Sequence, residues 1–423
     1  MKTNRTSIQA LDIILHGIRV AILVHYDSGK NRLVVNPEYR AIPAGQRPII
    51  TLAQLFLPNY FSHEKINQLR IPPLLSNLLP EGALRIWLSQ SLKTHIDDEF
   101  SLLAYTGNNL PGALIAKPLP AGELPDWVLS TKEQVESIQL DVKIPAMGFS
   151  LAGVQMKFSG IRQDGRFLIS TSLDADDWII KTPSHMHPSL PANEYTAMKL
   201  AQTAGIEIPE IMLFPVNKLE NLPAIALPNE DTAYAIKRFD RGNKNYHRIH
   251  AEDFAQIFEL FYFEKYNKIN YEQIGALVYR FSSNGLSDLQ QLARRLLVNI
   301  LLANGDAHAK NWMMFYPDTQ TPRLAPAYDI VSTLPYMAGE TGAALNLNKN
   351  KIWTRTSLEH FEAWTKKTGA SWPAIKAHLF EVMSLAKSQW PSMLSTLPME
   401  ERQKKILKHH WSQLHEDFRI ITN

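Results

Sequence analysis

Asp306 and Asn311 stand five positions apart, where an apolar helical pattern stops and the short apolar run Trp312-Met313-Met314-Phe315 begins. A helix, an acid, an amide five residues on and then a strand is the layout of a phosphoryl-transfer loop. That reaction needs a carboxylate to orient an attacking hydroxyl and accept its proton, with a neutral oxygen nearby to hold Mg²⁺. One short arc carrying both fixes each against the other. The spacing alone is weak, because D-x-x-x-x-N arises by chance. A second acid strengthens it: Asp329 lies in Leu324-Ala325-Pro326-Ala327-Tyr328-Asp329-Ile330, and an unpaired carboxylate on an apolar segment is costly enough to be usually paired or metal-bound. The bland reading is a turn or cap aspartate. Upstream, Lys181 closes Trp178-Ile179-Ile180-Lys181, and a strand lysine can neutralise nucleotide phosphates, although strand-end lysines are more often simply solvated. Glu194, opening the next helix, could pair with Lys181 or merely suit the helix dipole.

The elements that must position these groups are partly visible. Leu289, Leu292, Ala293, Leu296, Leu297, Ile300 and Leu301 form the stripe of a core-packed helix from Ser287 to about Ala303, stopped at Asn304-Gly305. Asn193 reads as the cap of a helix through Ala204, with Gly205 as its stop. Ala233–Ile236 reads as a strand running out through Lys237, Arg238, Phe239 and Asp240. Near the N-terminus, Ile18–Val24 and Arg32–Val35 flank turn chemistry at Asp27–Asn31 and predict a hairpin. Pro72–Gly82 leads into a helical stretch, and the proline-rich Pro118–Pro125 reads as a linker. The expected organisation is a β-rich domain over residues 1–122, a mixed unit over 123–245 and a mostly helical unit over 246–423.

Composition narrows the class. The 423 residues are 45% hydrophobic and 20% charged, which suits a folded chain of two or three domains. The absence of cysteine excludes a disulfide scaffold, a thiolate metal site and a cysteine nucleophile. It also suits a reducing cytosol. Only 19 glycines argue against a long glycine-rich phosphate cradle. Asp12 and His16 interrupt the first apolar stretch, so a signal peptide is not expected, and no run of about 18 apolar residues predicts a membrane span. A net charge of +3 is too mild to announce nucleic-acid binding. The dense cluster Arg402, Lys404, Lys405, Lys408, His409 and His410 reads first as a solvated helix face, and second as a patch for DNA or an acidic partner.

Five ordered motifs carry a resemblance: Ser150–Lys157 (SLAGVQMK), Asn193-Glu194-Tyr195, Lys237–Arg241 (KRFDR), Gly305–Asn311 (GDAHAKN) and Ala327–Ile330 (AYDI). Together with Leu78–Gly82 and Leu110-Pro111-Gly112 nearer the N-terminus, they resemble the HipA family of serine/threonine-kinase toxins. The resemblance implies an α+β, two-lobed protein-kinase-like and lipid-kinase-like fold with a small β-rich N-terminal domain and a mostly helical C-terminal lobe. It also implies ATP and Mg²⁺ as cofactors, cytoplasmic action, and growth arrest by phosphorylating a serine of an aminoacyl-tRNA synthetase. A helix-turn-helix antitoxin of the HipB type would neutralise the toxin and carry it to operator DNA, with no membrane partner.

By that resemblance Asp306 is the catalytic acid/base, and Asn311 and Asp329 are the Mg²⁺ ligands. Ala152, Gly153, Val154, Gln155, Met156 and Lys157 form the phosphate loop, and Lys181 contacts the phosphates. Lys237, Arg238 and Phe239 form the hinge whose backbone reads adenine, while His308, Lys310 and Tyr328 line the nucleotide pocket. Ser150 matches the autophosphorylated serine; a phosphate there adds about −1.5 to −2 charge beside a loop that must itself hold phosphates. Lys237 and Met156 each stand where the founding member carries Glu. An aminoglycoside-type small-molecule kinase explains the Asp/Asn spacing but neither the Ser150 loop nor the N-terminal domain. A silent co-repressor that binds antitoxin and DNA is the non-enzyme alternative, against which the intact Asp306, Asn311, Asp329 and Lys181 argue. No G-x-S-x-G supports a serine hydrolase.

Overall fold

The computed structural model describes residues 6–62, 65–120, 122–128, 135–136, 138–140, 156–169, 177–222, 226–242 and 248–421. Ser150, Ala152, Gly153, Val154 and Gln155, assigned above, lie outside the described residues.

The expected hairpin forms. Strands β2 (Ile18–His25) and β3 (Lys30–Val35) pair antiparallel, with Leu23 opposite Leu33. They belong to a sheet ordered β4-β3-β2-β1-β5, with β1 over Thr6–Leu15, β4 over Lys65–Gln68 and β5 over Leu114–Pro120. Strand β2 reads as an unbroken apolar run because the sheet is covered on both faces. Ala21 and Leu23 enter one core with Phe100 and Leu103, whereas Ile22 and Val24 enter another with Leu119 and Val128.

The first part of the linker expected at Pro118–Pro125 is strand instead. Pro118 and Pro120 lie in β5, paired with Leu11 and Ile8 of β1. An edge strand tolerates proline because the missing N–H faces no partner, so proline richness here marks a sheet edge. Strand β6 (Ile138–Leu140) also pairs with β1. The first sheet therefore continues past the expected boundary at 122.

A second sheet follows, ordered β10-β12-β9-β7-β8-β11. Its members are β7 (Lys157–Gln163), β8 (Arg166–Ile169), β9 (Trp178–Lys181), β10 (Ile211–Pro215), β11 (Leu219–Glu220) and β12 (Thr232–Lys237). The helix behind it runs over Leu190–Thr203, starting four residues earlier than expected with Pro191 in its first turn, where proline's missing N–H costs nothing. Asn193 is thus not its cap. It is buried, accepting from the Ser332 amide at 3.0 Å and donating to Gln403 at 3.0 Å.

The remainder is helical around a small sheet of β13 (His250–Asp253), β14 (Met313–Tyr316) and β15 (Arg323–Leu324). The apolar stripe forms the helix Gly285–Leu301, two residues earlier at each end than expected. Trp353, Trp364, Trp390 and Trp411 are fully buried in the same core. The C-terminal basic cluster is not one solvated face. Lys404 is buried and paired with Glu401, and His410 is buried against the Ile300 carbonyl.

The first unit grips the helical one. Leu52 joins the helical unit's core, and its amide donates to buried Glu252 at 2.6 Å. Gln256 donates to the Leu74 carbonyl, and Asn77 to that of Leu260, both at 2.7 Å. Gly112 sits at φ +70°, and a Cβ there would lie 2.6 Å from the Ala251 carbonyl, so the close approach requires glycine.

Candidate active site

Lys157 and Lys181 are directly opposed across β7 and β9, so both ammonium groups emerge on one side of the sheet. They converge on Asp329, which lies 172 and 148 positions further along the chain. Lys157 Nζ is 3.0 Å from one carboxylate oxygen, and Lys181 bonds the other. Lys181 also bonds Glu194 at 2.5 Å, and both side chains are buried. Burial pushes the Asp329 carboxyl up, but the two lysines overcome this and hold it well below the ordinary carboxylate range. Burial pushes Glu194 up, and Lys181 only partly opposes it. Asp329 adopts φ +52°, a left-handed backbone that non-glycine residues rarely take and that functional sites tolerate when their surroundings enforce it.

The Asp306 loop begins where the helix Gly285–Leu301 ends. A Cβ on Gly305 would fall 2.0 Å from the Glu340 carboxylate, the far end of a side chain that would have to swing aside. The Asp306 amide donates to the Asn304 side chain at 3.0 Å. Asn311 Nδ2 donates to the Asp306 carbonyl at 2.7 Å. That bond orients the amide of Asn311 and leaves its Oδ1 free for another electrophile. Asn311 and Asp329 line the same small cleft of about 10 Å³. The Asp306 side chain is half exposed and accepts a 2.6 Å hydrogen bond from the Tyr266 hydroxyl.

A cavity of about 310 Å³ opens beside these groups, within the roughly 300–1,000 Å³ range of ligand pockets. Lys157, Lys181, Lys237, Arg238, Phe239, Lys310, Tyr328 and Asp329 line it, with Ile179, Ile236 and Met313 as apolar wall. Phe239 stacks toward Tyr328 with ring centroids 6.0 Å apart. The hinge amides of Lys237 and Arg238 donate to the carbonyls of Glu210 and Asp177 at 2.8 and 2.7 Å. Among the described residues, the next amide, that of Phe239, donates to no backbone carbonyl.

Several expected residues sit differently. Met156 is buried among Phe158, Phe214 and Ala235 and is not part of the cavity lining. His308 lies outside the cavity lining, with Nε2 3.8 Å from Asp306; burial lowers its pKa to about 4, against the pull of Asp306, so it is neutral at pH 7. The Arg238 guanidinium makes a bidentate pair with buried Asp240 at 2.9 and 2.7 Å, and Asp240 receives the Gly112 amide at 2.7 Å. Arg238 thus fastens the hinge to the first unit.

Lys310 lines the cavity, and its ammonium is already engaged by the first unit. It donates to the Asn77 carbonyl at 2.7 Å and pairs with Glu81 at 2.7 Å. Glu81 also receives Lys265 at 2.8 Å. From sequence, Leu78–Gly82 is only a motif of the N-terminal domain. In the structure Asn77, Leu78, Asn109 and Pro111 of the first unit line the cavity. Burial would raise the Glu81 carboxyl, but Lys310 and Lys265 lower it to about 2. The stabilisation this supplies is complete above the ordinary value of 4.5 and fades as pH falls toward 2. Glu81→Gln should therefore cost about 1–3 kcal/mol at neutral pH. Chemical unfolding curves should show that deficit shrinking between pH 4.5 and 2; a pH-independent deficit would contradict the tether.

The fold and site define a two-lobed, kinase-like protein with an appended β-rich N-terminal unit. The chain belongs to the HipA family: the HipA-like C-terminal domain model matches residues 149–390, and the HipA N-terminal domain model matches residues 11–117. A relative from Sinorhizobium fredii, the candidate kinase Y4dM, is 33% identical over 411 residues, covering 95% of this chain and 96% of that protein. The serine/threonine-protein kinase toxin HipA of Shewanella oneidensis is 25% identical over 308 residues, covering 66% of this chain and 67% of that one. A solved complex of Shewanella oneidensis HipA, HipB and operator DNA shares the fold, with a TM-score of 0.69, 18% identity and 95% of each chain covered. No helix among the described residues is long and apolar enough to cross a membrane.

Proposed function

We propose that the chain is an ATP-dependent protein serine/threonine kinase acting as a HipA-type toxin. The observation that carries this reading is the convergence of Lys181, Glu194 and Asp329 at one end of the 310 Å³ cavity. The Asp306–Asn311 arc meets it through the cleft that Asn311 and Asp329 share. The hinge at Phe239 and the apolar walls suit a purine, and Lys157 and Lys181 suit its phosphates. The donor set fits Mg²⁺, a hard cation that prefers oxygen ligands: Asn311 presents a free Oδ1, and Asp329 is held ionised. Bound there, Mg²⁺ would supply neutralisation of phosphate charge. Asp306 orients the acceptor hydroxyl and accepts its proton, and Lys157 exchanges its pair with Asp329 for a phosphate.

The substrate class in this reading is a serine of a cytosolic protein, an aminoacyl-tRNA synthetase by family resemblance, with arrest of translation and growth as the outcome. Regulation is by autophosphorylation at Ser150 and by a HipB-type antitoxin that brings the toxin to operator DNA. The related Shewanella oneidensis HipA, solved with HipB and operator DNA, supports that partnership. Titration calorimetry with Mg-ATP, followed by mass spectrometry of the chain after incubation, tests the reading. Binding and a phosphate on Ser150 are expected; absence of nucleotide binding would sink it. Phosphoproteomics after brief expression identifies the acceptor protein.

A further inference from the structure

Asp306 carries a hydrogen bond that the kinase reading does not use. The Tyr266 hydroxyl donates to Asp306 Oδ1 at 2.6 Å, from a residue 40 positions upstream. A phenol on the proposed base could block the acceptor or hold the base in place, and the two have opposite consequences. The surroundings favour holding. The tyrosine's own segment is fastened to the Asp306 loop by the Ala309 amide, which donates to the Lys265 carbonyl at 3.1 Å. The Lys265 ammonium is in turn tied to Glu81 at 2.8 Å. The Tyr266 ring stands edge-on to His308 with centroids 5.0 Å apart, and His308 is buried. A blocking residue must leave each time a substrate arrives, yet this one is pinned by backbone, ion pair and ring packing. Nor does it cover the acid, whose side chain keeps 47% of its surface exposed. A carboxylate has about four acceptor positions on two oxygens, so Oδ2 remains available to an incoming hydroxyl.

We propose that Tyr266 is a positioning residue of the phosphoryl-transfer reaction, its hydroxyl fixing the Asp306 carboxylate so that Oδ2 faces the acceptor. The proposal rests on the kinase reading. In the transfer step the acceptor O–H donates its proton to Asp306, the acceptor oxygen forms a bond to the γ-phosphorus, and the bond from that phosphorus to the leaving ADP oxygen breaks. Tyr266 stays protonated throughout, because burial and the neighbouring Asp306 raise its pKa. Losing the hydroxyl frees the carboxylate to rotate, and misplacement of a reacting group by about 1 Å can cost on the order of 100-fold.

The test compares wild type, Tyr266→Phe and Tyr266→Leu, measuring initial rates of γ-phosphate transfer from Mg-ATP to the chain itself and to water. Tyr266→Phe keeps the ring on His308 and should lower kcat by roughly 10- to 100-fold, with the KM for ATP and the thermal midpoint unchanged. A Tyr266→Phe rate equal to wild type overturns the proposal, including the case where only Tyr266→Leu is impaired, which would assign the role to ring packing. A faster Tyr266→Phe also overturns it and makes the hydroxyl a block. A wild type that binds Mg-ATP but transfers no phosphate overturns the kinase reading and this proposal with it. An active wild type matched by Tyr266→Phe overturns this proposal alone.

Discussion

Asp306→Asn is expected to abolish phosphoryl transfer while leaving nucleotide binding intact. A positioned general base contributes about 10²–10⁴-fold, so self-labelling with Mg-ATP should fall by at least about 100-fold. The substitution is nearly isosteric, and its cost to the scaffold is small for three structural reasons. The side chain is half exposed. Asn311 is held by the backbone carbonyl of residue 306 and not by its carboxylate. The Tyr266 hydroxyl can still donate to an amide oxygen in place of Oδ1. The lysines proposed to hold phosphate, Lys157 and Lys181, belong to the other lobe, so the Kd for Mg-ATP should stay within about twofold, a change of under 1 kcal/mol. A variant that keeps a tenth of wild-type transfer would remove Asp306 from the chemistry. One that loses nucleotide binding in parallel would show the residue to be structural.

Lys181→Ala should produce the largest combined loss, in stability as well as in nucleotide binding. Its ammonium is buried with Glu194 and bonded to Asp329, so truncation leaves two carboxylates close together with only the half-exposed Lys157 as counter-charge. Removing one partner of a buried ion pair costs about 3–5 kcal/mol, well above the cost of the methylene groups lost with it. The pH dependence has a definite sign. Burial already raises the Glu194 carboxyl, and without Lys181 it rises further. Such a group favours the folded state below its ordinary value and opposes it as pH climbs through the raised one. Asp329, held low mainly by Lys157 and Lys181 against burial, loses part of a stabilisation that exists only above its ordinary pKa. Both effects make the deficit small near pH 4 and large at pH 7. Thermal melts of wild type and Lys181→Ala across that range should diverge as pH rises; parallel curves would show that the ion pair is not coupled to folding.

How much of this was legible depended on distance along the chain. The hairpin at Ile18–Val35, the strand ending at Lys181 and the helix before Asp306 are local patterns, each set by periodicity and turn chemistry within about twenty residues. Boundaries moved where a local signal had two meanings. Pro118 and Pro120 suit a linker or an edge strand equally, and only the pairing with Leu11 and Ile8 of β1 decides. Asn193 suits a cap or a buried crosslink, and the amide of Ser332, 139 residues away, decides that one.

By itself the sequence determined the reacting types and their local spacing. Asp306 and Asn311 share one arc because five residues of chain can span no more, Asp329 interrupts an apolar segment, and no cysteine is present to offer another chemistry. The tertiary structure alone decided what each charge faces. It placed Lys157 and Lys181 on a single carboxylate. It set the ammonium of Lys310 on Glu81 of the N-terminal unit. It set the hydroxyl of Tyr266 on Asp306. Such pairings join residues from 40 to more than 200 positions apart, and no periodicity reaches that far. They exist because burying the apolar faces of three packed units brings the polar ends of their strands and loops to one seam, where a charge taken out of water must find a partner.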